Sequence, residues 1–264
     1  MNQFDVIIIG GGPGGLQAAI TCAERGHKAV LIEKTDRLGG TMNFTNTDED
    51  KTDLRNFKNL LIREATTCGT DIRLNTEVTS ELIAEINPDV IIIAVGGYPF
   101  VPPIPGIEGA MDALSVYQNM DKIGHKVVLV GGGLVGCEVG LHLATAGHDV
   151  TVVEMQTMMA AETFGYYRNT LLETMDKRGI HQVLGARCLS FEPNGVKVEV
   201  DGQETFIPAD TCVFSMGMKS HTAVVDELKA LAGEIPVKVV GDCAQIGKMG
   251  DAVRGSYMAA MEIV

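Results

Sequence analysis

Apolar runs open each half of the chain and predict the same three elements twice. Each half begins with a short β-branched run, the pattern of a strand buried on both faces of a parallel sheet. A glycine-rich turn follows, then a segment with helical spacing that ends at a glycine, and then a second apolar strand. The three elements are predicted over residues 6–9, 14–25 and 28–32, and again over residues 127–130, 135–146 and 149–153.

The two units repeat each other at a long, fixed period. Gly131 follows Gly10 by 121 residues (131 − 10), and the same offset separates Glu154 from Glu33 (154 − 33). A constant offset over this length indicates duplication of a whole structural unit. We therefore predict an α/β fold with two Rossmann-like dinucleotide-binding domains, each three-layered with a parallel sheet, the second inserted in the first.

The remaining pattern is less regular and sets the predicted domain boundaries. The proline-rich residues 98–106 are expected to carry the chain into the second domain, because proline removes hydrogen-bond donors and fixes φ. The first domain is predicted to comprise residues 1–107 with 218–264, and the second residues 108–217. Further elements are a helix over 51–68, strands over 72–74, 90–95 and 237–240, a hairpin of strands 196–200 and 204–207, and a last helix from about 251.

The glycines have distinct physical roles in binding a dinucleotide. Gly10 and Gly131 allow a tight turn, and Gly12 and Gly133 let the backbone approach a pyrophosphate. The helix that follows presents free N–H groups and partial positive charge to the phosphates. Each glutamate lies 23 residues beyond the first glycine (33 − 10 and 154 − 131), where a carboxylate accepts hydrogen bonds from an adenosine ribose. Glycines that serve only tight turns are the alternative.

Composition excludes several partners. The net charge of −13 and the scattered Lys and Arg residues disfavour nucleic acid and anionic membranes. No apolar run approaches the ~20 residues of a membrane span, and the first run is interpreted as a buried strand, not a signal peptide. None of the six cysteines forms a C-x-x-C pair, which disfavours a redox dithiol, zinc or an iron–sulfur cluster. We expect a cytoplasmic protein without a metal site.

Taken in order, these residues resemble a known group. Together with Leu38-Gly39-Gly40, Ala94-Val95-Gly96, Glu138 and Gly241-Asp242, the two motifs resemble the pyridine nucleotide–disulfide oxidoreductase superfamily. The detail is closest to the C-terminal FAD/NAD half of NADH:flavin oxidoreductases of the enoate reductase, 2,4-dienoyl-CoA reductase and trimethylamine dehydrogenase kind.

The resemblance implies FAD in the discontinuous first domain and NAD(H) in the second. It places Glu33 at the FAD ribose, the Val78 backbone at the adenine, Asp242 at the flavin ribityl or phosphate region, and the helix near Asp251 with its N-terminus at the flavin. No proton-transfer residue is expected to be catalytic, because the cofactors carry the chemistry. The candidate cofactor-binding residues are Gly10, Gly12, Pro13, Gly14, Gly15, Glu33, Lys34, Gly39, Gly40, Thr41, Val78, Ala94, Val95, Gly96, Gly131, Gly133, Leu134, Val135, Gly136, Glu154, Gly217, Gly241 and Asp242.

Relatives of this kind usually carry an N-terminal TIM barrel with FMN and a [4Fe–4S] cluster, which this sequence does not contain. We therefore expect an NADH-oxidising flavoprotein that feeds a partner FMN/[4Fe–4S] TIM-barrel domain or subunit. A self-contained NADH:acceptor reductase and a vestigial module that binds only ADP or one dinucleotide stay open, as does a homo-oligomer. Glu154 favours NADH over NADPH, since a carboxylate repels a 2′-phosphate. For Cys243, beside Asp242, packing is the favoured interpretation over a redox role.

Overall fold

The computed structural model describes residues 2–264, and within them it contains fifteen strands, eight α-helices and five short 3₁₀ helices. The strands are β1 Asp5–Ile9, β2 Lys28–Ile32, β3 Asp71–Arg73, β4 Val90–Ile93, β5 Gly97–Pro99, β6 Met111–Asp112, β7 Lys126–Val130, β8 Asp149–Val153, β9 His181–Val183, β10 Ala186–Glu192, β11 Gly195–Val200, β12 Gln203–Pro208, β13 Thr211–Phe214, β14 Met218–Ser220 and β15 Val237–Val239.

The α-helices are α1 Pro13–Glu24, α2 Thr52–Thr67, α3 Ser80–Ile86, α4 Ala113–Val116, α5 Leu134–Thr145, α6 Gly165–Lys177, α7 Thr222–Ala232 and α8 Met249–Met261. The 3₁₀ helices cover Gly40–Asn46, Glu49–Lys51, Ile107–Gly109, Met120–Lys122 and Gly241–Cys243. No helix within residues 2–264 combines the length and the apolar character that crossing a bilayer requires.

The chain divides into two compact units. Unit 1 comprises Met1–Tyr98 with Met218–Val264, and unit 2 is the continuous segment Pro99–Gly217. The predicted first boundary at residue 107 falls inside unit 2, so the structure moves it to Tyr98. The reason is local packing: Ile104 and Ile107 join the hydrophobic core of unit 2, and the Phe191 N–H donates to the carbonyl of Pro105 at 2.8 Å.

Unit 1 is built on a five-stranded parallel sheet in the order β15-β4-β1-β2-β3. Alternate residues of β1 face opposite sides, as strand geometry requires. Val6 and Ile8 pack against Leu16 of α1 and residues of α2 and α8. Ile7 and Ile9 pack on the other face, against α3 and α7. Helices on both faces explain why β1 is apolar at every position from Val6 to Ile9.

Unit 2 repeats this sheet and differs in what covers it. Its parallel sheet has the order β6-β13-β7-β8-β9. A three-stranded antiparallel sheet, β10-β11-β12, supplies Phe191, Val196 and Val198 to the core on Val128 and Val130 of β7. The predicted hairpin is thus two strands of three. The start of the proline-rich segment forms a strand, because β5 pairs with β14 in a separate two-stranded sheet.

Candidate functional site

The first glycine loop, residues 10–15, connects β1 to α1, and its glycines are needed for different reasons. Gly10 has φ +107°, and a Cβ there would overlap the carbonyl oxygen of Ala94. A Cβ on Gly15 would overlap the carbonyl oxygen of Gly10. Gly12 is different, since the nearest atom to its Cβ position is Cα of Gly40, 4.0 Å away. The fold therefore requires Gly10 and Gly15, whereas Gly12 leaves space beside the loop.

Helix α1 directs its N-terminus into that space. Gly12 is its N-cap and Pro13 its first residue, and Pro13 lacks an N–H. No side chain caps the helix at Gly12, so the loop offers backbone donors and the positive end of the helix dipole to a ligand anion. An open position beside a helix N-terminus is the geometry that a pyrophosphate requires.

Glu33 follows β2 and is buried, with 8% of its surface exposed. Its Oε2 accepts a hydrogen bond from the Gly11 N–H at 2.7 Å. Its Oε1 accepts from the N–H of Thr35 at 2.8 Å and from the Thr35 hydroxyl at 2.7 Å. A carboxylate has about four acceptor positions, so Glu33 braces the loop and keeps capacity for a ribose hydroxyl. This carboxylate therefore has a structural role, and its contact with the ribose stays a prediction.

The second glycine loop, residues 131–136, reproduces these contacts at the 121-residue offset. A Cβ on Gly131 would overlap the carbonyl oxygen of Ser215, and one on Gly136 that of Gly131. Glu154 is also 8% exposed. Its Oε2 accepts from the Gly132 N–H at 2.6 Å, and its Oε1 from the Gln156 N–H at 2.8 Å. The duplication thus extends from sequence to individual hydrogen bonds.

The same offset relates the segments that cover the two loops. The Gly39 N–H donates to the carbonyl of Gly11 at 2.8 Å, and the Ala160 N–H to that of Gly132 at 2.7 Å (160 − 39 is again 121). Leu38 and Met159 occupy corresponding positions against Gly11 and Gly132. Sequence similarity is low in these segments, and the positions of the glycines alone give no reason to align them.

The two sites differ in charge at the residue that ends each covering segment's turn. Thr41 is exposed in unit 1. At the corresponding position (41 + 121) unit 2 has Glu162, whose Oε1 accepts a hydrogen bond from the Leu134 N–H at 2.8 Å. Leu134 is the first residue of α5. A carboxylate therefore lies at the helix N-terminus that the sequence assigned to a phosphate.

The other predicted residues of unit 1 reach the first loop to different degrees. Ala94 contacts Gly10, and Ala252 and Ser256 of α8 lie beside Gly14, which joins the two ends of the unit at this loop. Val78 is half-buried, in the cluster that contains Ile32. The remaining predicted positions of this unit, Lys34, Gly40, Thr41, Val95, Gly96 and Gly241, are exposed or half-buried on the loops that follow the strands.

In unit 2, the predicted Leu134, Val135 and Gly136 form the first turn of α5, and Gly133 is its N-cap. Val135 is 46% exposed. Gly217 is the last residue of the unit and has φ +93°. Glu138, which belongs to the second motif, accepts a hydrogen bond from the Tyr167 hydroxyl at 2.6 Å.

Asp242 lies in the 3₁₀ helix that follows β15 and precedes α8. Its Oδ1 accepts a hydrogen bond from the Gly247 N–H at 3.2 Å. Burial raises the pKa of the Asp242 carboxyl, the Gly247 hydrogen bond lowers it, and the Asp251 carboxylate raises it further. A partly buried carboxylate with one weak donor can accept further hydrogen bonds from hydroxyl groups.

Lys58 is a residue that the sequence did not single out. It belongs to α2, is only 3% exposed, and its ammonium group donates to the Asn46 side chain. The Cδ of Lys58 lies 3.1 Å from the position that a Cβ on Gly39 would take. Burial lowers the pKa of the Lys58 ammonium group, and the nearby Arg55 charge lowers it further. A lysine within an amphipathic helix is usually on the exposed face, so the pattern of residues 51–68 could not reveal it.

The cysteines show no redox arrangement. All six are free, and Cys22, Cys137, Cys212 and Cys243 are buried. Burial raises the pKa of the Cys22 and Cys137 thiols to about 12. Burial also raises the pKa of the Cys243 thiol. This thiol donates a hydrogen bond to the carbonyl of Val240 at 3.1 Å. Within residues 2–264, no group of three His, Cys, Asp or Glu side chains is placed to hold a metal ion.

Comparison with known proteins identifies longer relatives that match this chain over nearly its whole length. The chain is 35% identical to an NADH oxidase of Thermoanaerobacter brockii over 98% of its length, which is 41% of that protein. It is 32% identical to a bilirubin reductase of Mediterraneibacter gnavus (strain CC55_001C), covering 97% of the chain and 40% of the relative. The chain thus spans about two-fifths of the length of these relatives.

A solved structure gives the same result. A 2-naphthoyl-CoA reductase in complex with 2-naphthoyl-CoA superposes with a TM-score of 0.91 at 27% identity, covering 99% of this chain and 40% of that one. The family model described as pyridine nucleotide-disulphide oxidoreductase matches residues 4–260. The predicted α/β fold and the resemblance are confirmed, as are the family's cofactors, FAD and NAD(H). The chain belongs to the pyridine nucleotide-disulphide oxidoreductase family.

Proposed function

We propose that this chain is the module that transfers a hydride from NADH to FAD and passes the electrons to a flavin/iron–sulfur domain or subunit of an enoate-reductase-like enzyme. One observation carries the proposal. Each unit contains the same glycine loop, and in each a buried glutamate accepts a hydrogen bond from the N–H of the loop's second glycine. The pairs are Gly11 with Glu33 and Gly132 with Glu154. Two such loops in one chain suit a reaction between two dinucleotides.

Unit 1 is the proposed FAD site. The first glycine loop and the N-terminus of α1 would hold the pyrophosphate, and Glu33 the adenosine ribose. Gly39, Gly40 and Thr41 would border the phosphates, and Asp242 would accept hydrogen bonds from the ribityl or phosphate region. Support comes from the open space at Gly12 and from the contact of Ala252 and Ser256 with Gly14, which brings α8 to the loop.

Unit 2 is the proposed NAD(H) site, with Gly131, Gly133 and Gly136 at the pyrophosphate and Glu154 at the adenosine ribose. Glu154 is held by two backbone N–H groups, so it cannot move away from an added 2′-phosphate without breaking both bonds. Gln156, two residues later, is uncharged. NADH is therefore the favoured nucleotide.

When bound, the nicotinamide and flavin supply the hydride chemistry themselves. The residues of this chain bind the two dinucleotides, orient them and exclude water. No side chain is required to move a proton, and the buried cysteines have no place in the transfer. The cytoplasmic location stays a prediction.

The length of the relatives supports the proposed acceptor. Because the chain spans 41% and 40% of two of them, the electrons are proposed to leave towards a domain or subunit outside this sequence. A self-contained NADH:acceptor reductase would instead turn over briskly with free quinones or dyes. Steady-state turnover with those acceptors, compared with the rate of anaerobic flavin reduction, distinguishes the two functions.

The central experiment is an anaerobic titration of the FAD-reconstituted protein with NADH, followed by flavin absorbance. We expect bleaching with one NADH per flavin. A protein that remains colourless after reconstitution, or a flavin that NADH leaves oxidised, would contradict the proposal and favour a vestigial binding module.

Glu154→Ala tests the nicotinamide nucleotide assignment. We expect weaker NADH binding by about 1–2 kcal/mol, because a charge-assisted hydrogen bond to the ribose is lost. The affinities for NADH and NADPH should be measured by calorimetry, with thermal unfolding as a check because Glu154 also braces Gly132. Glu204→Ala, on exposed β12, is the control. Unchanged NADH affinity and unchanged discrimination against NADPH would show that Glu154 does not contact the ribose.

A further inference from the structure

The segment that covers the second glycine loop, residues 159–163, is held in an unfavourable conformation. Ala160 has φ +47°, in the left-handed region that a residue with a Cβ rarely adopts. The buried hydroxyl oxygen of Thr163 has no hydrogen-bond partner among the described residues. In unit 1 the position that corresponds to Ala160 is Gly39, whose φ of +107° costs little for glycine. The covering segment of unit 2 is thus the more strained of the two.

This segment places a negative charge against α5. Glu162 Oε1 lies 2.8 Å from the Leu134 N–H and 3.1 Å from the Cβ position of Gly133. The corresponding space beside Gly12 has no atom within 4 Å except Cα of Gly40 at 4.0 Å. Glu162 is exposed, so its side chain can rotate into solvent. The anion position is open in unit 1 and is occupied by an exposed carboxylate in unit 2.

A carboxylate and a pyrophosphate compete for the same backbone donor. Both are stabilised by the N–H groups and the dipole at a helix N-terminus. They cannot share the Leu134 N–H, and two anions this close repel each other. The hydrogen bond of Glu162 is exposed and its segment is strained, so displacement requires little reorganisation.

We propose that Glu162 is a displaceable anion that sets the affinity of unit 2 for its dinucleotide, keeping NAD(H) weakly bound and exchangeable while the dinucleotide of unit 1 stays resident. The proposal rests on the proposed function, because it assumes that the second glycine loop binds a pyrophosphate. It explains why two copies of one loop suit two ligands with opposite requirements: a cofactor that stays and a co-substrate that must leave after each turnover.

The test replaces Glu162 with the residue that unit 1 has at this position. Glu162→Thr should lower the Kd for NADH and for ADP-ribose about tenfold, measured by calorimetry on the FAD-loaded protein. Glu162→Gln, which removes the charge and keeps the shape, should lower it in the same direction. FAD content should not change. Glu204→Thr, an exposed carboxylate on β12 of the same unit, is the matched control and should leave both values of Kd unchanged.

Ionic strength separates charge competition from loosening of the loop. The gain in affinity of Glu162→Gln should shrink between about 0.02 M and about 0.5 M NaCl, because salt screens exposed charges. Equal affinity in wild type and both Glu162 variants would overturn the role of Glu162 and leave the NADH-binding function intact. A gain that salt does not alter would also overturn it. If neither wild type nor Glu162→Thr binds NADH or ADP-ribose, both this inference and the NAD(H) site fail together.

Discussion

At the scale of single residues, the glycines of the first loop separate a structural requirement from a binding one. A Cβ on Gly15 would overlap the carbonyl oxygen of Gly10, whereas one on Gly12 meets nothing closer than 4.0 Å, and Gly12 has φ −77°. The sequence motif alone gives both glycines equal weight. Only the position of the neighbouring backbone shows which one a side chain can replace.

This difference gives a paired prediction. We expect Gly15→Ala to destabilise the protein by about 3 kcal/mol, because rigid backbone must move. Gly12→Ala should change the unfolding free energy by less than about 0.5 kcal/mol and yet lose FAD, because its methyl group fills the proposed pyrophosphate space. Urea unfolding and the flavin-to-protein absorbance ratio measure the two effects. A Gly12→Ala protein that retains full FAD content would place the pyrophosphate elsewhere.

Asp242 gives a prediction with a defined pH dependence. Burial raises its pKa in the folded protein above the ordinary value of 3.8, so the ionised form is disfavoured by folding. This penalty is fully present at neutral pH and is lost as the pH falls through the folded pKa towards 3.8. In flavin-free protein, Asp242→Asn should therefore be more stable than wild type at pH 7, and the difference should shrink on acidification.

The same variant should bind FAD about tenfold more weakly, because a neutral amide is the poorer acceptor for flavin hydroxyl groups. Unfolding curves at several pH values and FAD titrations check both effects. Asp226→Asn, on the exposed side of α7, should change neither. A stability difference that grows on acidification would show that Asp242 is stabilised as the carboxylate.

The glutamates show how far the sequence could lead at a single site. Their place at the end of the second strand predicts Glu33 and Glu154 as ribose acceptors. It could not predict that each carboxylate also accepts from a glycine N–H at 2.7 and 2.6 Å, because that contact depends on the path of the loop in space. It could not predict Glu162 either, since its partner lies 28 residues away.

At the scale of elements, the strand–helix–strand units were predictable and most of the covering elements were not. Periodicity predicted residues 14–25 and 135–146 as helices, and the structure has Pro13–Glu24 and Leu134–Thr145. Helix α6 was missed because only Leu171 and Met175 are buried on it, too few for a periodic signal. Helix α7 was missed although Val225, Leu228 and Ala232 have helical spacing and Gly233 follows them.

The covering segment of unit 2 gives the prediction at this scale. Ala160→Gly should raise the unfolding free energy by about 0.5–1 kcal/mol, because glycine adopts the positive φ of this position without steric cost. Ala144→Gly, on α5 in the same unit, is the matched control and should lower it by about 1 kcal/mol. Urea unfolding measures both. Destabilisation by both substitutions would mean that Ala160 does not hold its left-handed conformation in solution.

At the scale of the molecule, one copy of the duplicated unit is a continuous segment and the other is formed from two separate segments. The inserted copy is one uninterrupted segment, Pro99–Gly217. The outer copy needs both ends of the chain, because its sheet is completed by β15 and its two faces are covered partly by α7 and α8. The offset of 121 residues revealed the duplication, but the boundary at Tyr98 depends on how residues 104 and 107 pack, which no local pattern encodes.

This asymmetry predicts how the two units behave as fragments. Residues 99–217 contain all five strands of their parallel sheet, the antiparallel sheet and a core of their own, so the fragment should fold alone and unfold cooperatively in urea.

Residues 1–98 lack β15, α7 and α8, which leaves β4 as an open edge and exposes Ile7, Ile91 and Ile93. That fragment should be unfolded or aggregated by circular dichroism and size-exclusion chromatography. Adding residues 218–264 through a short glycine–serine linker after residue 98 should restore folding, because it supplies the missing strand and both helices. An unfolded 99–217 fragment would show that unit 2 depends on contacts outside its own segment.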